Sequence, residues 1–326
     1  MHILGIETSC DETAAAIVDN GRNILSNVVV SSLKEHAKYG GVIPEIASRR
    51  QLECVNAVVD KALSDAGLKL SDIHAIAVTS HPGLIGSLLV GLSFARGLSF
   101  STNKPLVEID HIKAHLYANF VHPVQNNATF KQPSLPAVGL VVSGGHTSLF
   151  YVKNFSNIKL LGQTVDDAAG EAFDKVAKIL DLGYPGGPVI DRLAKNYQGN
   201  GLKFNSAELP DSYNFSFSGV KTAVLYHTRK HAQEKSFDKR AVVHAFQHSV
   251  VSILVKKSIE ACLKMKTKTL LIGGGVAANS YLRERLQNEA KTHKIKTYFP
   301  EFALCLDNAA MIAGLGYHAL KKKEKK

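Results

Sequence analysis

Three kinds of residue in this chain have the type and spacing to do chemistry. The first is a histidine pair. His111 and His115 stand four apart in Asp110-His-Ile-Lys-Ala-His-Leu-Tyr117. On a helix that spacing puts both rings on one face, with Cβ atoms about 5–6 Å apart. Two imidazoles so placed can bind one transition metal if a third ligand comes from elsewhere. The spacing alone is weak evidence, because a chain with 14 histidines produces such pairs by chance. It recurs at His227/His231, in a basic stretch, and at His244/His248, on the surface of a long helix, Arg240–Met265. His111/His115 has the better setting, since it follows a strand end, where α/β proteins place their sites.

The second kind is glycine where an anion could sit. Val138–Val152 reads as two apolar runs around Ser143-Gly144-Gly145-His146-Thr147. Bare backbone N–H groups in such a turn can cradle a phosphate, although an ordinary hairpin gives the same pattern. The chain opens in the same way, with apolar Ile3–Ile6, polar Glu7–Thr13 and apolar Ala14–Val18. Two such openings predict a duplicated fold in which each half offers one turn to a shared cleft. A third glycine run, Gly273-Gly-Gly-Val-Ala-Ala-Asn279, lies between a strand and a helix over 280–291, as at nucleotide sites. It fits the G-x-G-x-x-A dinucleotide fingerprint. Too little chain follows it, however, for the further βα units of that fold.

The third kind is acidic. Asp166, Asp167 and Glu171 read as the first turn of a helix reaching about Leu182, where acids suit the positive end of the dipole. Asp191 follows the broken loop Gly183–Pro188, whose Gly186 and Gly187 let a ligand approach backbone. Asp307 opens the last helix.

The elements that must position these residues alternate. Strands are expected at 23–31, 73–79 and 106–109, and helices at 45–66 and 83–100. This is an α/β pattern. The 83–100 run is rich in glycine and serine and broken by Arg96, so it reads as a buried helix and not a membrane span. The Pro/Asn/Gln-rich segment 122–136 is the expected boundary. Residues 1–131 form one half, with the helix over 307–326 packing back on it, and 132–306 form the other. Residues 205–221, polar and aromatic, read as a ligand loop or a hairpin.

At 326 residues the chain has room for two domains with sizeable cores. Its formal charge of +11 favours polyanionic partners, nucleic acid above all. Four cysteines, none in a C-x-x-C pair, suit a reducing cytoplasmic setting. The N-terminus enters a strand at once, so no targeting segment is expected.

Together the motifs resemble the TsaD (Gcp/YgjD) family of tRNA N6-adenosine threonylcarbamoyltransferases. The resemblance rests on Gly5–Thr13, His111–His115, Val141–Thr147, Asp166–Lys175, Tyr184–Pro188, Phe217–Lys221, Gly273–Asn279 and Asp307–Ala313, in the family's order. It implies an actin-like, Hsp70-like ATPase (ASKHA) fold, two ribonuclease-H-like halves around a central cleft. It implies transfer of a threonylcarbamoyl group from threonylcarbamoyl-AMP to the adenosine 3′ of the anticodon in tRNA, with release of AMP. It makes His111, His115 and Asp307 the ligands of one metal ion, iron as Fe(2+), with zinc or magnesium as alternatives. It assigns Val141, Val142, Ser143, Gly144, Gly145, Asp174, Gly187, Asp191 and Asn279 to the adenylate. Glu12 is the candidate base. A TsaB-type paralogue and a TsaE-type ATPase are the implied partners, with no membrane. Candidate tRNA contacts are Arg49, Arg50, Lys221, Arg229, Lys230 and the lysine tail. The rival readings are an ATPase or sugar kinase of the same fold and a metallopeptidase. The latter lacks the Glu of H-E-x-x-H.

Overall fold

A computed structural model describes residues 1–126, 130–199, 201–205 and 209–323. Parts of the expected connector (127–129), of the 205–221 segment (206–208) and of the lysine tail (324–326) lie outside the described residues. The contacts form two compact units. Unit 1 holds Met1–Pro133, Asn154–Asn157 and Pro300–Lys326; unit 2 holds Ser134–Lys153 and Ile158–Phe299.

Unit 1 starts with an antiparallel meander: β1 (His2–Glu7), β2 (Glu12–Asp19) and β3 (Asn23–Ser31). A short helix α1 (Leu33–Ala37) and a long one, α2 (Pro44–Asp65), follow. Then come β4 (Ala75–His81), α3 (Ile85–Thr102), β5 (Leu106–Asp110), α4 (His111–Tyr117) and β6 (His122–Pro123). The sheet order is β5-β4-β1-β2-β3-β6, with β4 parallel to β1 and β5 parallel to β4.

In unit 2 another antiparallel pair begins the sheet, β7 (Ala137–Val142) and β8 (Thr147–Asn154), joined by β9 (Asn157–Gln163). Four helices follow: α5 (Ala169–Ile179), α6 (Gly186–Ala194), α7 (Ser218–His231) and α8 (Lys239–Lys264). The unit closes with β10 (Thr269–Gly273), α9 (Ser280–Thr292) and β11 (Lys296–Tyr298). The order is β11-β10-β7-β8-β9, with β10 parallel to β7 and β11 parallel to β10. Strand for strand, this repeats the first five strands of the other sheet. The duplication read from the two openings is therefore present in the topology. The chain then returns to unit 1 with α10 (Phe302–Cys305) and α11 (Ala309–Lys323).

The two-residue period of β1 splits its side chains between two layers. Leu4 and Ile6 join Ala15, Ile17, Ile76 and Val78 against Val58, Val59 and Ala62 of α2 and Ala95 of α3. The opposite face takes α11. There Gly5 brings β1 so near the helix that an added Cβ would lie 2.3 Å from the Ala309 carbonyl oxygen. Gly316 does the same against Ala77, and Gly314 against Tyr117.

Two expectations are corrected. The 83–100 segment is a helix, but it is not buried: only Ser87, Gly91 and Ala95 of α3 are. Its small residues face the core, where an added Cβ at Gly91 would meet Thr8 Oγ1 at 2.3 Å. Its large ones divide: Leu92, Phe94 and Leu98 pack partly buried against the core, while Ile85, Leu89 and Phe100 are exposed. By length and composition it is the one helix among the described residues apolar enough to cross a membrane. Second, α5 starts at Ala169, so Asp166 and Asp167 precede it and only Glu171 lies in its first turn. Asp166 acts on the approach to α7, and Asp167 bridges α5 and α7. Asp166 accepts from the Phe217 N–H at 2.8 Å, and Asp167 pairs with Lys175 and Lys221 at 2.7 and 2.6 Å. Residues 218–221 of the expected loop or hairpin are the start of α7.

Gly5→Ala should therefore lower stability by about 1–3 kcal/mol or more, since backbone must move to admit one methyl. Gly97→Ala, into open space on α3, should raise it by about 0.5–1 kcal/mol. Urea unfolding midpoints report both. A Gly5→Ala chain as stable as the native one would refute the close approach.

Candidate metal centre and nucleotide site

The metal candidates converge within unit 1. Asp110 ends β5 and caps α4 by accepting the Lys113 N–H at 3.0 Å, so His111 and His115 occupy one face of that helix. Their rings are 4.6 Å apart at 78°, with the two Nε2 atoms 3.2 Å apart. Asp307 Oδ1 lies 3.1 Å from His115 Nε2 and 3.6 Å from His111 Nε2. One ligand atom from each of the three falls within 4.8 Å of the others. Asp307 does not open α11 as the sequence suggested. Asn308 caps that helix, accepting the Met311 N–H at 3.1 Å. Asp307 is thereby left to face the imidazoles.

The sequence reading gave no role to Glu7, the last residue of β1, which is fully buried. Its Oε2 lies 3.0 Å from His111 Nδ1 and also accepts from Thr79 Oγ1, while Oε1 accepts the Ser9 N–H. A carboxylate on Nδ1 holds the N–H there and leaves the Nε2 lone pair for a cation. The donor set therefore fits a metal by the chemistry of its own residues. The available signal was a carboxylate ending an otherwise apolar strand. Such a charge needs a partner once buried.

Burial disfavours a charged His111, but the carboxylates of Glu7 and Asp307 outweigh it and push the imidazole up to about 9. His115 is held below its usual range, chiefly by burial. So the site attracts one positive charge, which can be a proton or a metal. The Thr8–Glu12 loop brings further acid. Gln51 of α2 fastens it, donating to the carbonyls of Cys10 and Glu12 at 2.9 and 3.0 Å. Burial, Asp307 and Asp11 push the Glu12 carboxyl up to about 9, and Ser31 Oγ donates to it at 3.2 Å. Burial and the same acids hold the Cys10 thiol far above its ordinary range.

Unit 2 gathers the expected adenylate residues at the carboxyl ends of the parallel strands β7 and β10. This is where α/β sheets take ligands. Val141 and Val142 are buried in the sheet, so only their backbone is available. The turn after them is closed by the Ser143 N–H to the His146 carbonyl at 2.8 Å. Gly144 and Gly145 are exposed, with open space beside each Cα. Gly170 and Gly274 pack against the turn: an added Cβ would lie 2.6 Å from the Ser143 carbonyl oxygen and 2.4 Å from that of Val142, respectively.

The polar candidates also fasten helix starts. Asp174 accepts the Gly186 N–H at 2.7 Å and a further bond from Gly187, although burial raises its affinity for a proton. Asp191 accepts both the N–H and the hydroxyl of Ser280, at 2.9 and 3.0 Å. Asn279 caps α9 through the Leu282 N–H at 2.8 Å and donates to Gln247 at 2.9 Å. Gln247 and Ser280 were not singled out from sequence; their neighbours in the fold are far away in the chain.

The profile of the family described as "TsaD: tRNA N6-adenosine threonylcarbamoyltransferase" matches residues 23–314. The chain belongs to this family. A tRNA N6-adenosine threonylcarbamoyltransferase of Caldicellulosiruptor bescii is 50% identical over 323 residues, 99% of this chain and 94% of that relative. Two solved structures share the fold at low identity. HypF of T. kodakarensis has a TM-score of 0.65 at 13% identity, covering 98% of this chain and 48% of its own. The ROK hexokinase of Thermus thermophilus has a TM-score of 0.52 at 15% identity, covering 100% of both chains. This TsaD-family chain thus has the two-lobed α/β ASKHA fold that its motifs implied.

Because a metal must displace the His111 proton, its apparent affinity should rise at least about tenfold per pH unit between 6 and 8. Removing the carboxylate that orients His111, by Glu7→Gln, should cost roughly 10–100-fold in affinity. Metal titrations at several pH values measure both. A flat profile, or native affinity in the Glu7→Gln chain, would count against the site.

Proposed function

We propose that this chain transfers the threonylcarbamoyl group of threonylcarbamoyl-AMP to the N6 amine of the adenosine 3′ of the anticodon in tRNA, releasing AMP. The observation that carries the reading is the 50% identity to a transferase of that name across 99% of the chain. The convergence of His111, His115 and Asp307 supports it.

In this reading the N6 amine attacks the carbamoyl carbonyl carbon. A C–N bond forms, the C–O bond of the mixed anhydride breaks, and AMP leaves with the electron pair. The Gly144 and Gly145 N–H groups receive the phosphate, as preorganised donors that need no reorganisation when its charge develops. Asp191 has two of its roughly four acceptor positions in use, which leaves room for a ribose hydroxyl. Asp174 positions Gly186 and Gly187 beside the nucleotide and accepts from the ribose. Asn279 offers its remaining N–H to the purine or ribose. Glu12 takes the amine proton. With its carboxyl raised to about 9 it is largely protonated at neutral pH, so it takes that proton as the carboxylate, a form that a cation held by His111, His115 and Asp307 would favour.

His111, His115 and Asp307 would hold the metal. Two imidazoles and one carboxylate suit Fe(2+). Zinc is the nearer alternative, and magnesium, which favours oxygen ligands, the more distant. When bound, the ion would supply Lewis-acid polarisation of the donor's oxygens. A TsaB-type paralogue, a TsaE-type ATPase and a cytoplasmic location complete the proposal, on the family resemblance. Each half, 1–131 with 307–326 and 132–306, contributes one set of residues: the metal ligands His111, His115 and Asp307 with Glu12 from the first, the adenylate residues from the second.

Purified threonylcarbamoyl-AMP, unmodified tRNA and the partner proteins should yield the modified nucleoside by mass spectrometry. His111→Ala should lower single-turnover transfer at least about 100-fold, in keeping with loss of a metal that acts on the transition state. ATP-dependent phosphoryl transfer with no carbamoyl product would overturn the reading.

A further inference from the structure

One face of unit 2 carries aromatic rings beside arginines that form no side-chain ion pair among the described residues; nearby acids act elsewhere, Asp238 on the Arg240 backbone N–H and Glu289 on His293. On α8, Arg240, His244 and His248 recur every four residues and so share one side. Tyr281 and Arg285 do the same on α9. The Arg240 guanidinium lies over the Tyr197 ring at 5.8 Å, and that of Arg285 over Tyr281 at 5.7 Å. Arg285 also donates to the Tyr281 hydroxyl at 2.9 Å. His244 joins the two pairs, 5.3 Å from the Tyr197 ring and 6.5 Å from Tyr281.

The electrostatics agree. After burial, the influences that hold His248 below its usual range are the positive charges of Arg285, His244 and Lys203. Among the described residues, neither Arg240, Arg285 nor Lys203 has an ion-pair partner. Three of the cations picked out from sequence differ, since Arg49 pairs with Glu45, Arg50 with Glu53 and Lys221 with Asp167. The strip also adjoins the nucleotide residues. Tyr281 follows Asn279 and Ser280, and Gln247, which holds Asn279, lies between His244 and His248.

We propose that this α8/α9 strip, built on the two Arg–Tyr pairs, is where unit 2 holds the single-stranded loop of its RNA acceptor. The inference rests on the transferase reading. Single-stranded loops have unstacked bases that lie on aromatic or guanidinium planes, with cations beside their phosphates. Paired helices lack free base faces, so this strip distinguishes a loop from a duplex.

The test is tRNA affinity of the full chain across a salt series, alongside the transfer assay. Arg240→Ala with Arg285→Ala should weaken binding roughly tenfold or more and reduce the salt slope by about two, one per lost phosphate contact. Tyr281→Ala should weaken binding roughly fivefold or more with an unchanged slope, as loss of stacking does. Unfolding curves confirm that the variants fold; if the double variant does not, each single arginine change should lower the slope by about one. Native affinity and slope in a folded double variant would overturn the strip. So would equal losses on a duplex RNA of the same length. A chain that binds tRNA here yet makes no product sinks the transferase alone. Product with an unchanged KM for tRNA in the double variant sinks the strip alone.

Discussion

The approach of α11 to β1 at Gly5 is the contact on which the metal centre depends. A side chain at that position would occupy the space of the Ala309 carbonyl. Without one, the helix start lies directly on the strand, and Asn308 caps it from its own first turn. Asp307 is then placed by backbone packing, two residues before the contact, against histidines almost 200 positions earlier in the chain. Geometry set by a buried sheet and a capped helix is more rigid than geometry set by a loop. Glu7 belongs to the same arrangement, since it ends the strand that Gly5 thins.

That centre also concentrates negative charge. Glu7, Asp11, Glu12 and Asp307 lie near two buried imidazoles, and the result is visible in three directions of proton affinity: His111, Glu12 and Cys10 all move up. Burial leads the shifts of Glu12 and Cys10, and the negative charge of Asp307 adds to all three. A buried carboxylate cluster without a cation is costly, so a metal at His111, His115 and Asp307 would relieve what protons otherwise relieve. The chemistry proposed for Glu12 and the affinity proposed for the metal are therefore linked through Asp307.

Unit 2 solves a different problem. Its candidate groups are mostly neutral backbone N–H donors and side chains that already hold helix starts. Asp174 ties α5 to the start of α6, Asp191 ties α6 to the start of α9, and Asn279 ties that start to α8. Loss of any of them acts on architecture as well as on ligand contacts. The basic strip on α8 and α9 inherits this order, because Asn279 and Gln247 fix the register of the two helices that carry it.

Read by itself, the sequence determined the α/β class, the duplicated strand-turn-strand opening, most of the helices and strands though not α7 or β9, and the family. These follow from local periodicity, turn chemistry and motifs that are contiguous in the chain. It also placed His111 and His115 on one helical face, since a four-residue spacing is a local property. It misplaced Asp166, Asp167 and Asp307, assigning them to helix starts because acid before an apolar run is the usual signal of one. It called α3 buried because mean apolarity carries no information about which side faces the core; the small residues do, through how closely they let the helix approach. The family resemblance tied Asp307 to the histidines, though no spacing did; only the tertiary structure tied Glu7 to them, Asp191 to Ser280, and Tyr197 to α8. Those pairings join residues far apart in sequence, and what brings them together is the packing of one element on another, which no local pattern encodes.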